Sequence, residues 1–210
     1  MAVVLSVHPV TPQARHIRRA AELLRNDGVI VYPTDTVYGL GCDITNKHAV
    51  ERIVRIKGRD PKKPMSFVCA DLTHISRYAR VSNFAYRILK RFLPGPYTFV
   101  LEASREVPRL LLTKQKTVGI RIPDHPVCLG LVKELGNPIL STSANPSGAD
   151  PLNRPDEIQR VLGSQVDLIL ECGVLPRVPS TVVSLVGQQV RVLREGAGDA
   201  SFFRELEEAG

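Results

Sequence analysis

The sequence contains no tryptophan, only 2 methionines and only 4 cysteines in 210 residues. The cysteines stand far apart, at positions 42, 69, 128 and 172, and form no Cys-x-x-Cys pair. This distribution excludes a disulfide framework and favours free thiols in a reducing compartment, so we expect a cytoplasmic protein. The 5 histidines show no His-Glu-x-x-His motif and no zinc-finger spacing, so we expect no metal site formed by the protein.

Several other signals are missing. No apolar run approaches the ~18 residues of a membrane helix, so we expect no membrane association. The start, MAVVLSVHPV, lacks a basic segment followed by a long apolar one, so we expect no secretion signal. The chain has no G-x-x-x-x-G-K-[ST] loop, no G-x-G-x-x-G after a strand and no G-x-S-x-G elbow. These absences argue against a P-loop, a dinucleotide fingerprint and a serine nucleophile.

The composition is that of a globular domain, with 43% hydrophobic and 23% charged residues. A length of 210 residues suits one domain, and we expect no second, linked one. The net charge of +7 is spread along the chain. It indicates either a polyanionic partner, such as a nucleotide or RNA, or ordinary solubility charge. The cationic face of the first predicted helix, with Arg15, Arg18 and Arg19, leaves the same two interpretations open.

The organising stretch is residues 28–41, GVIVYPTDTVYGLG. Residues 29–32 form an apolar, β-branched and aromatic run that predicts a buried strand, and Pro33 ends it because proline cannot donate to a sheet. Polar side chains follow, and two glycines would let backbone approach a ligand. Because ligands bind at the carboxyl ends of strands in α/β sheets, this exit is either a binding site or a simple polar turn. The residues concerned are Thr34, Asp35, Thr36, Tyr38, Gly39 and Gly41.

Helical and strand patterns mix along the chain without strict alternation. We therefore predict an α/β fold, a single domain with a twisted mixed sheet, partly parallel and partly antiparallel, flanked by helices. Asn46, Ser82 and Pro155 mark helix starts, whereas Gly58 and Gly136 mark helix ends. The predicted helices span residues 11–26, 46–57, 72–78, 83–92, 126–135 and 155–162. Further strands are predicted at residues 66–70, 97–101, 117–122, 138–140, 166–170, 181–186 and 190–193, the last two as a hairpin.

Three groups of side chains have types suited to binding an anion. Strand exits supply hydroxyls and an amide, the loop after the second helix supplies cations, and single arginines lie near later strand ends. Arginine suits bidentate contact with phosphate or carboxylate, and hydroxyls and amides fix orientation. If these groups converge, they form an anion pocket. They are Thr34, Thr36, Ser143 and Asn145; Lys57, Arg59 and Lys63; and Arg121 and Arg194.

Six motifs, in this order, resemble the YrdC-like threonylcarbamoyl-AMP synthase family. They are PTDTVYGLG, KGR with KKP, TVGIRIPDHP, STSANPSG, PSTVV and VLREG. The resemblance covers about residues 12–200, which we take as one YrdC-like domain, and is greatest to the YciO branch. It implies a YrdC/RibB-like twisted α/β fold with a large positive cavity.

The resemblance also implies an activity. L-threonine, bicarbonate and ATP would give threonylcarbamoyl-AMP and pyrophosphate, for the modification of tRNA adenosine by threonylcarbamoyl. The protein would thus be a nucleotidyltransferase, with Mg²⁺ carried by the nucleotide and no side-chain nucleophile. Binding of tRNA or double-stranded RNA is implied as well, whereas the oligomeric state is not.

The family's site residues match positions of this sequence. Lys57 and Arg59 match its Lys-x-Arg motif and Ser143 and Asn145 its Ser-x-Asn motif, and these four are the implied catalytic residues. The implied ATP-binding residues are Arg59, Lys63, Thr117, Asn145, Asn153 and Arg194. The implied threonine-binding residues are Thr36, Arg121, Ser143 and Ser180.

Two departures from the family pattern bear on substrate choice. Asp35 stands where the family usually has glutamate, and Val68 where it usually has a histidine that faces threonine. The amino-acid substrate is therefore open. Two alternatives also remain: an RNA- or nucleotide-binding protein of the same fold without strong synthase activity, and another carbamoyl-adenylating enzyme.

Overall fold

Ten strands form one mixed sheet through the molecule, which confirms the predicted α/β fold. The structure is a computed structural model that describes residues 1–58, 65–112 and 114–209. In chain order the strands are β1 (Val3–Ser6), β2 (Ile30–Tyr32), β3 (Gly39–Asp43), β4 (Ser66–Val68), β5 (Tyr97–Glu102), β6 (Thr117–Arg121), β7 (Ile139–Ser143), β8 (Leu168–Glu171), β9 (Thr181–Ser184) and β10 (Arg191–Arg194). Their order across the sheet is β1-β8-β2-β3-β7-β4-β6-β5-β9-β10.

Helices cover both faces of this sheet. They are α1 (Ala14–Arg25), α2 (Lys47–Lys57), α3 (Leu72–Tyr78), α4 (Asn83–Phe92), α5 (Pro126–Leu135), α6 (Pro155–Leu162) and α7 (Ser201–Glu208). Within the described residues, none of these helices has the length and apolarity needed to cross a membrane. The pairs β1–β8, β8–β2, β4–β6 and β5–β9 are parallel, and the remaining neighbours are antiparallel.

The two faces of the sheet are covered unequally. On one face a large core packs under α2, α3, α4, α6 and α7. On the other face a smaller core packs under α1 and α5 and reaches only β8, β2 and the near ends of β7 and β4. Because no described helix covers the rest of that second face, the strands from β3 to β9 are left with one side uncovered, and this is where the cavity lies.

Local signals gave the helix boundaries correctly. The Asn46 side chain accepts a hydrogen bond from the Ala49 amide, and Ser82 caps α4 in the same way. Gly58 has φ of 56°, a left-handed conformation that glycine adopts at low cost, and it ends α2 as predicted. The predicted β9–β10 hairpin is also present.

The sequence patterns missed three elements. β1 and α7 lie outside the predicted domain limits of 12–200, yet both pack onto the sheet. β3 was expected to be a loop in which Gly39 and Gly41 approach a ligand. β3 is instead a buried strand, although Gly39 does line the cavity, and both glycines make room for the ring of Tyr32. A Cβ on Gly39 would stand 3.0 Å from Tyr32 Cζ, and one on Gly41 would stand 2.9 Å from Tyr32 Cε1.

Candidate functional site

A cavity of about 1200 Å³ occupies the uncovered face of the sheet. Its base includes a row of mostly small residues that are ladder partners across five neighbouring strands. We call this the small-residue row. Small side chains leave depth above the strands, so the row accounts for the space between the flanking loops. The row consists of Ser141, Ser66, Gly119, Val100 and Ser184.

The charge of the cavity wall has one sign. Among the described residues, the wall includes four cations, Lys57, Arg121, Arg191 and Arg194, and no aspartate or glutamate. The other polar groups are mostly serine and threonine hydroxyls. A concave site lined by fixed cations concentrates anions, and hydroxyls can donate to their oxygens. The arrangement therefore favours an anionic ligand with many oxygens.

Lys57 lies at one end of the cavity and is 4% exposed. Its Nζ donates to the Ser143 carbonyl oxygen at 2.8 Å, to the Asn145 carbonyl oxygen at 2.5 Å and to Asn145 Oδ1 at 3.0 Å. The Lys57 carbonyl oxygen accepts from the Ser147 amide. The last residue of α2 thus fixes the loop that follows β7, which brings the Lys-x-Arg and Ser-x-Asn motifs into direct contact.

Arg121 lies at the opposite end and is 8% exposed. Its Nη2 donates to Asp35 Oδ1 at 2.8 Å and to Thr36 Oγ1 at 3.1 Å. The second carboxylate oxygen, Asp35 Oδ2, accepts from the Asp124 amide at 3.0 Å. The loop after β2 is therefore tied to the loop after β6, and Arg121 is held by its Nη2 edge.

Two buried nitrogens at this end have no partner among the described residues, Arg121 Nε and His125 Nδ1. An unpaired buried donor costs free energy, so Arg121 Nε is a candidate donor to a ligand oxygen. Burial lowers the pKa of His125, while the nearby carboxylates of Asp35 and Asp124 oppose this shift.

Arg194 completes the cationic wall from β10. Its Nε and Nη2 both donate to the Ser180 carbonyl oxygen, at 3.1 and 2.8 Å. Ser180 Oγ in turn shares a hydrogen bond of 2.8 Å with Thr98 Oγ1. Burial lowers the pKa of Arg194, and the positive charge of Arg121 adds to this effect. A bound anion would stabilise the charged form of Arg194 and so oppose both effects on its pKa.

The structure brings together most of the predicted site residues. The cavity wall contains eight of them: Thr34, Lys57, Thr117, Arg121, Ser143, Asn145, Ser180 and Arg194. Thr36 is fully buried beside the wall and reaches the site through Arg121. Arg59 and Lys63 lie outside the described residues, so their predicted contacts with phosphate stay predictions.

Asn153 does not line the cavity. Its Nδ2 donates to the Leu175 carbonyl oxygen and its Oδ1 accepts from Arg177, so its side chain fixes the loop between β8 and β9. Val68 is fully buried in the smaller core, although it is the ladder partner of Arg121.

Sequence reasoning missed several parts of the wall. Ser66, Ser141 and Arg191 of the wall were not singled out. Asp35, which holds Arg121 from beside the wall, was noted only at a strand exit and as a departure from the family glutamate. Ser141 does stand in the STSANPSG motif, two positions before Ser143, and period-2 alternation along a strand would have placed both on one face. The role of Asp35 depends on Arg121, which is 86 positions away, and has no local signal.

Fold and cavity together define an α/β protein with a deep cavity at its sheet, whose described wall carries cations and hydroxyls. Residues 22–196 match the model of the Sua5, YciO and YrdC family, whose description reads "Telomere recombination". The chain is 44% identical to YciO of Escherichia coli K12, over 97% of this chain and 100% of that protein. The crystal structure of E. coli YciO superposes with a TM-score of 0.92.

Two further relatives have more informative names. The threonylcarbamoyl-AMP synthase of Vibrio vulnificus YJ016 is 36% identical over 74% of this chain and 85% of that protein. The structure of P. abyssi Sua5 complexed with L-threonine has a TM-score of 0.91 and 30% identity, covering 98% of this chain and 61% of that one. The chain belongs to the Sua5, YciO and YrdC family.

Proposed function

We propose that this protein is an ATP-dependent enzyme that forms an acyl adenylate, as a threonylcarbamoyl-AMP synthase does. Its substrates would be L-threonine, bicarbonate and ATP, and its products threonylcarbamoyl-AMP and pyrophosphate. The names of the V. vulnificus and P. abyssi relatives support the reaction class and the amino acid. The adenylate would then supply the threonylcarbamoyl group for a tRNA adenosine.

The observation that carries the proposal is the cavity wall, with four cations and no carboxylate among the described residues. ATP has a highly charged triphosphate, and Lys57 and Arg194 are two fixed cations on that wall. Arg194 can offer charge-assisted hydrogen bonds to a phosphate, whereas Lys57, whose three N–H groups bind loop oxygens, contributes its positive charge. A cavity of about 1200 Å³ also has room for a nucleotide and a small amino acid together.

The chemistry suits these residues. The amine of threonine takes up bicarbonate to give a carbamate and water. A carbamate oxygen then attacks the α-phosphorus of ATP, the bond to the bridging oxygen of the β-phosphate breaks, and pyrophosphate leaves. Such a transfer needs positioning and stabilisation of negative charge rather than a protein nucleophile. Fixed cations on opposite sides of the cavity meet that need.

Mg²⁺ would be held by the nucleotide. The described residues contain no group of three histidine, cysteine, aspartate or glutamate side chains that could bind a metal ion. Magnesium commonly binds through substrate phosphates with few protein ligands, which fits this wall. Its contribution would be to neutralise charge on the triphosphate.

The amino acid would bind at the Arg121 end. Asp35 and Thr36 occupy Nη2, whereas the buried Nε has no described partner and is free to donate to an α-carboxylate. Ser180 supplies a further hydroxyl on the wall near this end. The carboxylate of threonine would thus replace a missing hydrogen-bond partner, which favours binding in this orientation.

The direct test is to incubate the purified protein with ATP, bicarbonate and L-threonine and to detect the adenylate by mass spectrometry. Isotope-labelled bicarbonate should add its label to the product. ATP consumption without a labelled adenylate would contradict the proposal. A protein that binds ATP but forms no adenylate with any small amino acid would be the nucleotide-binding alternative instead.

RNA binding is a second proposal, which a specific surface favours. The outward face of α1 exposes Arg15, Arg18 and Arg19, while Ile17 and Leu24 of the same helix are buried. Binding through such a face is largely electrostatic, so affinity for a tRNA or RNA duplex should fall steeply between about 50 and 200 mM salt. Changing the three arginines to glutamine should flatten this dependence. Affinity that does not vary with salt would contradict it.

A further inference from the structure

Tyr32 and Ser141 form a buried hydroxyl pair at the base of the cavity. Tyr32 is fully buried, and its hydroxyl donates to Ser141 Oγ at 2.7 Å. Burial raises the pKa of Tyr32 well above its ordinary value, which keeps the phenol protonated. Its single proton is therefore committed to Ser141, and Ser141 Oγ acts as the acceptor in this bond.

This contact depends on glycine at two positions. The tyrosine ring crosses over β3 to reach β7, and Gly39 and Gly41 are the residues of β3 that it crosses. A side chain at Gly41 would also collide with Ile139, its Cβ standing 2.6 Å from Ile139 Cγ2. Glycine at these two positions thus lets the Tyr32 ring cross β3 and bring its hydroxyl to Ser141.

Ser141 faces the cavity, and its own hydroxyl proton has no acceptor among the described residues. The residue is 8% exposed and belongs to the cavity wall. Its Oγ accepts from Tyr32, and no described residue accepts the Ser141 hydroxyl proton. Because buried polar groups normally have partners, this proton is available to a ligand oxygen in the cavity. Ser141 is therefore oriented as a donor.

The position of Ser141 narrows the choice of ligand. Along the sheet, the small-residue row that contains Ser141 lies one two-residue step, about 6.5 Å, from the row of Arg121 and Val68. In the opposite direction, one further step along β7 leads to Ser143, whose carbonyl oxygen binds Lys57. Ser141 thus stands between the two ends of the cavity, where the amino-acid end meets the phosphate end.

We propose that Ser141 donates its hydroxyl proton to the planar carboxylate-type anion between the two ends, namely bicarbonate or the carbamate formed from it. Tyr32 is the positioning residue that orients Ser141 for this contact. The inference rests on the proposed function, since that reaction places a one-carbon anion between an amino acid and a phosphate. It adds a site for the third substrate, at two residues that are not among the implied catalytic, ATP-binding or threonine-binding residues.

The kinetic test compares Ser141→Ala with Tyr32→Phe. Ser141→Ala should raise the KM for bicarbonate about tenfold or more, because a hydrogen bond to an anion is lost, while the KM for ATP stays within about twofold. Tyr32→Phe should also raise the KM for bicarbonate, by a smaller factor. Ser76→Ala and Tyr86→Phe, both on the outside of the helical layer, are matched controls. Equal changes in the KM for ATP and for bicarbonate would overturn the inference.

The double variant separates positioning from packing. If Tyr32 acts only through Ser141, then Tyr32→Phe should change the KM for bicarbonate no further in a Ser141→Ala background. Thermal unfolding of each variant reports any loss of packing. The matched controls show how much the same type of substitution changes stability on the outside of the protein. Independent, multiplying effects of the two substitutions on the bicarbonate KM would refute the assigned role of Tyr32.

A binding measurement distinguishes failure of this inference from failure of the proposed function. The ¹³C resonance of labelled bicarbonate is recorded with the protein in the absence of ATP, so no adenylate can form. Broadening of this resonance that is lost in Ser141→Ala supports the site. If the broadening appears only when threonine is present, the ligand is the carbamate. Broadening without turnover would leave the site standing and refute the synthase. A resonance unaffected by the native protein, with and without threonine, would overturn the inference.

Discussion

The two ends of the cavity each contain a buried cation, but they are held in different ways. Lys57 donates to neutral oxygens of the loop after β7, and in doing so fixes that loop. Arg121 pairs with a carboxylate, and its side chain and that of Asp35 are both about one tenth exposed, at 10% and 9%. One end therefore organises backbone for a phosphate, whereas the other keeps a compensated charge with one free edge.

The largest expected effect is at the Arg121 end. Asp35→Ala should lower the free energy of unfolding by about 3 kcal/mol, because it leaves Arg121 buried without its carboxylate. Urea unfolding of the purified protein measures this change. The exposed pair of Asp156 and Arg154 offers a matched control, and Asp156→Ala should change stability little.

A double variant checks the cause. If the loss in Asp35→Ala comes from an unpaired buried charge, then adding Arg121→Leu should recover part of it. The double variant could instead lose further stability, by as much as a second core substitution costs on its own. That result would show that the broken ion pair does not cause the loss in Asp35→Ala.

The second prediction concerns the Lys57 end. Lys57→Met keeps the length of the side chain but removes its charge, and it should weaken ATP binding by about 2 kcal/mol, roughly thirtyfold. Isothermal titration calorimetry measures this, with Lys47→Met on the exposed start of α2 as the control. Amide exchange should also quicken in residues 143–147. An unchanged dissociation constant would show that Lys57 serves the loop alone.

How much could be predicted from the sequence differs between these two ends. Asn46, Ser82 and Gly58 were assigned correctly because helix caps are decided within a few residues of the chain. The contact of Lys57 with Asn145 joins two motifs 88 positions apart, and only the family resemblance brought them together. The pairing of Asp35 with Arg121 has no local signal at all.

The missed elements have the same cause. β1 pairs with β8, more than 160 positions along the chain, so its short apolar run acquires meaning only in the folded sheet. α7 is fixed by Phe203, whose ring packs against Phe92, Tyr97 and Phe99 from distant elements. The contact of Gly39 and Gly41 with the ring of Tyr32 was not predicted, because that ring belongs to the neighbouring strand. Long-range packing decided each of these cases.

The third prediction concerns amino-acid selectivity and has a moderate expected effect. Val68 is the ladder partner of Arg121 but is fully buried, so it offers no hydrogen bond to a substrate. One missing contact corresponds to about 0.5–1.5 kcal/mol, which is roughly threefold to thirtyfold in affinity. We expect weak threonine binding, with serine, glycine and alanine also accepted.

Turnover with these four amino acids measures that selectivity, and the same measurement on Val68→His makes the test sharper. An imidazole at position 68 would enter the smaller core and should lower stability, because a buried polar group there needs a partner. Exclusive use of threonine by the native protein, together with lower activity in Val68→His, would show that selectivity comes from other residues of the wall.

The smallest expected effect is a pH dependence of stability, to which His125 at the Arg121 end contributes. His125 is 9% exposed, and burial lowers its pKa below the ordinary 6.5, so the folded protein favours the neutral ring. The unfolded chain takes up a proton at higher pH than the folded one, so stability should be fully present above about pH 6.5 and fall as the pH drops below it. His74 shifts in the same direction and contributes over the same window. Urea unfolding of the native protein, His125→Gln and His74→Gln between about pH 5.5 and 7.5 separates the two. The free energy of unfolding of His125→Gln should depend less steeply on pH than that of the native protein. Its affinity for ATP should follow that of the native protein at every pH. An ATP affinity that diverges from the native value as the pH falls would show that the two ends of the cavity are coupled.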